Sequence, residues 1–237
     1  MEKTEYLKYP PRRQKAMPWT LCCVLLLMAV FGFRQPMMGR PPGVSLEEYV
    51  HAFESSYHAV NTLSADFTQT YTTGERTRVE SGTVRLAKGG RMRWDYREPE
   101  AKLFVSDGKD LSLYIPAENQ VTRSAAKTAE DFRTPLGVLL SHFSLRRVFT
   151  KVEFADQALH VDDGDRVLRG YPKKEFEEEY REVLIELTPK IDIRRLVVFY
   201  ADNSSMEFTF TNIQRNVALP SSVFRFVPPS AAEIIQQ

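Results

Sequence analysis

Apolar residues at Leu46, Val50, Phe53, Tyr57 and Val60 recur at spacings of three and four, which places them on one face of a helix. Ser45-Leu46-Glu47-Glu48 in front of them is a capping-box pattern, so the spacing predicts a helix over 46–61. The period then changes to two. Leu63, Ala65, Phe67, Gln69 and Tyr71 alternate with polar neighbours, as do Met92, Trp94 and Tyr96 with Arg91, Arg93, Asp95 and Arg97. That is the signature of strands with one buried face. Gly89-Gly90, Asp107-Gly108 and Asp163-Gly164 punctuate the strands with hairpin chemistry, which predicts antiparallel neighbours. A second helix is expected after Thr134-Pro135, carrying Leu136, Leu139, Leu140 and Phe143, since proline suits a first helical turn. Three further strands are expected at 182–188, 192–200 and 204–213. The Glu-rich stretch Lys173 to Arg181 reads as a solvated hairpin or edge strand. The sum is an antiparallel α+β domain over 45–237, with about eleven strands and two or three helices.

The chain in front of this domain has a different character. Lys3, Lys8, Arg12, Arg13 and Lys15 precede an uncharged run from Trp19 to Phe33. A basic region followed by an apolar stretch shorter than the roughly 20 residues of a membrane span marks residues 1–33 as a secretion signal or a membrane anchor. Val30-Phe31-Gly32 is the best cleavage candidate. In either case the basic end stays inside and the rest is exported, with a tether to the membrane if residues 17–33 are retained. Residues 34–44 are rich in proline and glycine and form a linker.

Composition narrows the function classes. With 32 Lys and Arg against 31 Asp and Glu in 237 residues there is no basic excess to hold nucleic acid. The two cysteines, Cys22 and Cys23, both sit in the apolar leader, which removes disulfides and thiol chemistry from the domain. His51 and His58 stand seven apart, without a third ligand at metal spacing. His142 and His160 are isolated, and Asp162, Asp163 and Asp165 around Gly164 suit a turn. No phosphate loop, nucleophile elbow or zinc-protease motif occurs, so neither an enzyme nor a cofactor is expected. What the sequence offers instead is apolar surface on many strands, at Met92, Trp94, Phe104, Leu113, Phe199, Phe208 and Phe210. Covered by helices, such a face makes either a dry core or a cavity for an apolar ligand.

Several motifs occur in one order: Leu63-Ser64-Ala65-Asp66-Phe67-Thr68-Gln69, Gly82-Thr83, Met92-Arg93-Trp94-Asp95-Tyr96 with Pro99, Phe104-Val105-Ser106-Asp107-Gly108-Lys109, Asn119-Gln120-Val121-Thr122, Thr134-Pro135-Leu136, and Phe224-Arg225-Phe226-Val227-Pro228-Pro229. Across residues 46–229 the chain resembles the LolA family, periplasmic carriers of outer-membrane lipoproteins. The resemblance implies an incomplete, half-open antiparallel β-barrel of about eleven strands, with helices forming a lid over a hydrophobic cavity. It implies a monomer that takes triacylated lipoproteins from an inner-membrane ABC lipoprotein-releasing complex and hands them to an outer-membrane acceptor. By the same resemblance Phe67, Met92, Trp94, Phe104, Leu113, Phe208 and Phe210, with Leu136, Leu139 and Leu140 of the lid, face the acyl chains. Family members carry an Arg-Pro pair before the third strand whose Arg holds the lid. Lys88-Gly89 stands there in this chain, making Lys88 the latch candidate without the planar fork of Arg. Few residues follow Pro229, and the extra C-terminal strand of some members is not expected. The rival readings are an acceptor of the LolB type, for which Trp19-Thr20-Leu21-Cys22 is a poor lipobox, a sensor of the RseB type, and a carrier of another envelope lipid.

Overall fold

The computed structural model describes residues 43–125, 144–155, 159, 162 and 164–236. The leader, nearly all of the linker, and the second-helix prediction with Leu136, Leu139 and Leu140 lie outside the described residues.

Helix α1 spans Leu46–His58. Its start follows from the capping box: Glu48 N donates to Ser45 Oγ at 3.2 Å, and the Glu48 carboxylate accepts from Ser45 N at 3.0 Å. It stops three residues before the expected end. Val60 N turns back to the Tyr57 carbonyl, and the Asn61 carbonyl accepts from Lys88 N, which commits the chain to a strand.

Among the described residues eleven strands follow, paired antiparallel within β1 to β6 and within β7 to β11 and joined through β1 and β11: β1 (Thr62–Thr73), β2 (Arg76–Ala87), β3 (Arg91–Glu98), β4 (Lys102–Asp107), β5 (Asp110–Ile115), β6 (Gln120–Ala125), β7 (Phe149–Phe154), β8 (Arg166–Pro172), β9 (Tyr180–Leu187), β10 (Ile193–Tyr200) and β11 (Ser205–Arg215). A short helix α2 (Leu145–Val148) leads into β7. A twelfth strand, β12 (Glu233–Gln236), was not expected from the sequence and pairs parallel to β6. The sheet order is β12-β6-β5-β4-β3-β2-β1-β11-β10-β9-β8-β7, so among the described residues β12 and β7 are the edges and the barrel is not closed. The charged stretch Lys173 to Arg181 is the hairpin connection of β8 to β9 with the start of β9, and contains a 3-10 turn at Lys174–Phe176.

One apolar cluster takes residues from α1 and from strands as far apart in the sheet as β5 (Leu111) and β8 (Leu168). A flat sheet would keep those strands far apart, so the sheet curls around a common interior. Alternation decides which residues enter. On β1, β2 and β3 the inward set Ala65, Phe67, Val84, Leu86, Met92, Trp94 and Tyr96 is buried, while the outward set carries the ion pairs Arg85–Asp95 (2.7 Å) and Arg93–Asp95 (2.8 Å). Strand β9 departs from alternation, with five successive buried residues from Val183 to Leu187. Val183, Ile185 and Leu187 join the interior, and Leu184 packs outside with Val167 and Val197 in a second, smaller cluster.

Gly82 and Gly108 are fixed by the close approach of another backbone segment. A Cβ at Gly82 would lie 2.0 Å from the Asp95 carbonyl oxygen of β3, next to the register shift between Ser81 and Gly82. Gly108 closes the β4–β5 hairpin at φ +97°, with room for no side chain against the Gly89 carbonyl.

After β11 the chain crosses the outer face. Asn216 N donates to the Thr62 carbonyl and Thr62 Oγ1 to the Val217 carbonyl. A 3-10 turn at Ser221–Phe224 rests on β3 and β4, with Phe224 buried beneath the Arg91 guanidinium, and the Phe226 ring lies 5.6 Å from that of Tyr114 on β5. Asn119 then receives Glu233 N at its carbonyl and donates from Nδ2 to Ala231, delivering the chain to β12.

Candidate functional site

Cross-strand register assembles the inward aromatic residues. Phe67 sits opposite Phe210, Trp94 opposite both Val84 and Phe104, and Phe104 opposite Leu113. Phe67 and Trp94 meet edge to face, with centroids 4.9 Å apart at 73°, and Trp94 and Phe208 lie tilted at 54° with centroids 5.4 Å apart. Phe208 and Phe210 stack at 6.0 Å along one face of β11. Of the sequence-predicted set, the structure brings Phe67, Met92, Trp94, Phe104, Phe208 and Phe210 into one buried cluster, with Leu113 half-buried against it.

The lower end of this surface is polar, and the sequence reading missed it. Tyr96 Oη donates to Gln69 Oε1 at 2.7 Å. Gln69 in turn faces Glu80, a buried carboxylate that accepts from Arg78 at 2.6 Å and from Lys102 at 2.5 Å. Lys102 also lies 4.4 Å from the Tyr96 ring centroid. Gln69 and Tyr96 were visible as inward positions of the alternation, and Glu80 occupies the inward phase of β2 two residues before Gly82. Burial without partners would make this carboxylate expensive, and two cations with an amide satisfy it.

Helix α1 covers the interior through Phe53 and Tyr57, and its attachments are unequal. On the β10–β11 side Tyr57 Oη accepts from Ile193 N at 2.9 Å, and Ser56 Oγ and the Tyr57 ring both meet the Arg215 guanidinium. Burial pushes the Tyr57 hydroxyl up to about 12, against the lowering effect of its backbone hydrogen bond. Glu54 accepts from Leu145 N of α2 at 2.7 Å. On the β2–β3 side Lys88 reaches the helix end, its Nζ donating to the His58 carbonyl at 2.9 Å. A lysine at that position satisfies a terminal carbonyl and suits the negative end of the helix dipole.

A recess of about 690 Å³ opens between α1, α2 and β7, its apolar wall formed by Leu46, Val50, Leu145, Phe149 and Val152 and its rim by Glu47, His51, Glu54, Arg146, Thr150 and Lys173. The sequence reading did not anticipate it, because α2 is only one turn long. The apolar wall belongs to the same cluster as Trp94. Among the described residues no group of three or more His, Cys, Asp or Glu could hold a metal ion, and no helix is long and apolar enough to cross a membrane.

The comparisons agree with this architecture. Residues 58–227 match the family model described as "Outer membrane lipoprotein carrier protein LolA". An outer-membrane lipoprotein carrier protein of Chromobacterium violaceum is 30% identical over 175 residues, covering 73% of this chain and 81% of the relative. One from Dechloromonas aromatica is 28% identical over 176 residues, covering 73% and 81%. Among solved structures, an uncharacterized conserved protein from Thermus thermophilus aligns with a TM-score of 0.52 at 10% identity, over 81% of this chain and 100% of that one, a likeness of fold. The half-open barrel with its covering helix and the match over most of the domain together establish that the chain belongs to the LolA family, whose curated relatives are named as outer-membrane lipoprotein carriers.

Proposed function

We propose that this protein is a periplasmic carrier that shelters the acyl chains of lipoproteins inside the curled sheet and moves them from the inner to the outer membrane. The observation that carries the reading is the continuous inward surface of Phe67, Met92, Trp94, Phe104, Phe208 and Phe210, contiguous with the apolar wall of the recess beside α1. Buried methylenes are worth about 0.8 kcal/mol each, so the chains of one triacylated lipoprotein would cost on the order of 30 kcal/mol to carry exposed through water. A covered apolar interior removes most of that cost. Aromatic and methionine side chains suit the task, because flat rings and an unbranched thioether adapt to flexible chains.

The carrier exchanges one apolar filling for another. Without cargo the rings pack on each other, and with cargo they pack on acyl chains while α1 moves off the β2–β3 side, where Lys88 holds it. Leu136, Leu139 and Leu140 contribute further apolar cover in this reading. Loading energy comes from an inner-membrane ABC lipoprotein-releasing complex and unloading from an acceptor of higher affinity. The carrier itself catalyses nothing and needs no cofactor. Acting alone between two membrane partners, it functions as a monomer.

Native mass spectrometry of the protein purified without detergent from the periplasm of a lipoprotein-producing host tests this reading. A mass increment matching a triacylated protein or peptide is the expected result. Bound phospholipid or glycolipid would reassign the cargo, and a consistently empty protein would overturn the carrier reading in favour of a protein-binding sensor.

A further inference from the structure

Among the described residues, three buried aromatic side chains of the main interior carry a polar atom, and two of them are satisfied. The Tyr96 hydroxyl donates to Gln69 at 2.7 Å, and that of Tyr57 accepts from Ile193 N at 2.9 Å. The third is Trp94. It is 0% exposed, stands at the centre of the ring cluster between Phe67 and Phe208, and its Nε1–H has no hydrogen-bond partner among the described residues. A buried indole N–H ordinarily finds an acceptor, and leaving it bare is a standing cost that phenylalanine at the same position would avoid. The residues facing it across the strands, Val84 and Phe104, offer no side-chain acceptor.

From this geometry we infer that Trp94 Nε1 is the polar anchor of the cargo, donating a hydrogen bond to the carbonyl oxygen of an acyl ester. The inference rests on the carrier reading and adds to it a point of chemical recognition. Hydrocarbon chains contain no acceptor, so the indole N–H ignores their length and saturation. An ester carbonyl is the first acceptor met on leaving the chain toward the glycerol, and a single bond at Trp94 fixes how deep the chains enter. Because the site is dry, that bond has no water competing for it. The satisfied polar group at the other end of the surface, Glu80 with its two cations, leaves Trp94 as the donor within the ring cluster that has capacity to spare.

The test uses the full chain with 15N-labelled indoles, of which there are two, Trp19 and Trp94, assigned with Trp19→Phe. It is titrated with a dipalmitoylglyceryl-cysteinyl peptide, with the same peptide bearing ether-linked hexadecyl chains, and with dipalmitoyl phosphatidylethanolamine. The expected result is a downfield shift of the Trp94 indole proton with the ester peptide and none with the ether, together with roughly tenfold tighter binding of the ester. Trp94→Phe lowers ester binding to the ether level. The same shift with the phospholipid assigns the anchor to acyl esters of either source, and its absence there restricts it to the lipopeptide. Equal affinity for ester and ether with no indole shift overturns the anchor while leaving the carrier reading in place, whereas failure to take up any of the three overturns both. If Trp94→Phe does not fold, the indole shift of the unaltered protein decides alone.

Discussion

The two halves of the sheet solve burial differently. In β1 to β4 and β11 the interior is aromatic, with Phe67, Trp94, Phe104 and Phe208 meeting ring on ring, and the outer face of β2 and β3 is a lattice of Arg85, Arg93 and Asp95. In β8 to β10 the interior is aliphatic, with Leu168, Ile185, Leu187 and Leu196, and the outer face carries its own apolar patch of Val167, Leu184 and Val197. Branched aliphatic residues covered on both faces make a section of sheet that gains nothing by moving. Rings packed on one face, beneath a helix held on that side by the Lys88 ammonium, make one that can exchange its contacts. In the carrier proposed above, the aliphatic section is the stationary half and the aromatic section the receptive half of one continuous sheet.

Four variants test whether the two halves differ in this way. The largest effect is expected in the stationary half: Leu187→Ala should cost about 2–5 kcal/mol by urea denaturation while leaving acyl affinity per folded molecule unchanged. A matching loss of affinity would dissolve the distinction. Next, Tyr57→Phe leaves Ile193 N unpaired and should cost about 1–3 kcal/mol. It has a pH signature as well. The folded-state value for Tyr57, near 12, is above the unfolded one, so its contribution is complete below the ordinary tyrosine range and is lost as pH rises through it toward about 12. Tyr57→Phe should therefore flatten the alkaline fall in stability, although half-buried Tyr180, also raised to about 12, retains a share of it.

In the receptive half, Met92→Glu should weaken acyl uptake at least tenfold, about 1.4 kcal/mol, with a smaller shift in urea midpoint than Leu187→Ala, since an interior that opens can hydrate the new charge. Equal destabilisation would mark Met92 as ordinary core. The smallest effect belongs to Lys88→Ala. Loss of one charge-assisted bond to the His58 carbonyl should cost the closed, empty state about 1 kcal/mol and appear chiefly as slower cargo release by stopped-flow fluorescence. Unchanged release would remove the latch.

Legibility followed the same division. The receptive half was readable because one buried face leaves strict alternation in the sequence, as in Met92, Trp94 and Tyr96 against Arg91, Arg93 and Asp95. In β9 both faces are covered, and the run Val183 to Leu187 gives a strand without saying which residues face inward. Gly82 stands in the sequence as part of a Gly-Thr motif, but its reason, the Asp95 carbonyl in the space of its missing side chain, is a long-range contact no local pattern encodes. The recess beside α1 escaped notice for a similar cause: Glu54 and Leu145 are joined across 91 positions by a hydrogen bond. Likewise β12 has only four residues, all exposed, and derives its strand character from β6 and Asn119 rather than from its own sequence.

The segment that crosses the outer face after β11 bears on how such an interior could open. Fastened to Thr62 at one end and to β6 at the other, with Phe224 embedded between, it forms a strap over the outer face from β1 to β6. Running along the outside of the curve, it ties these strands to one another and resists their parting. The sheet is thereby braced from behind against its strands parting, and in the carrier proposed above room for a guest comes from the helical side, where α1 is fastened at Tyr57 and Arg215.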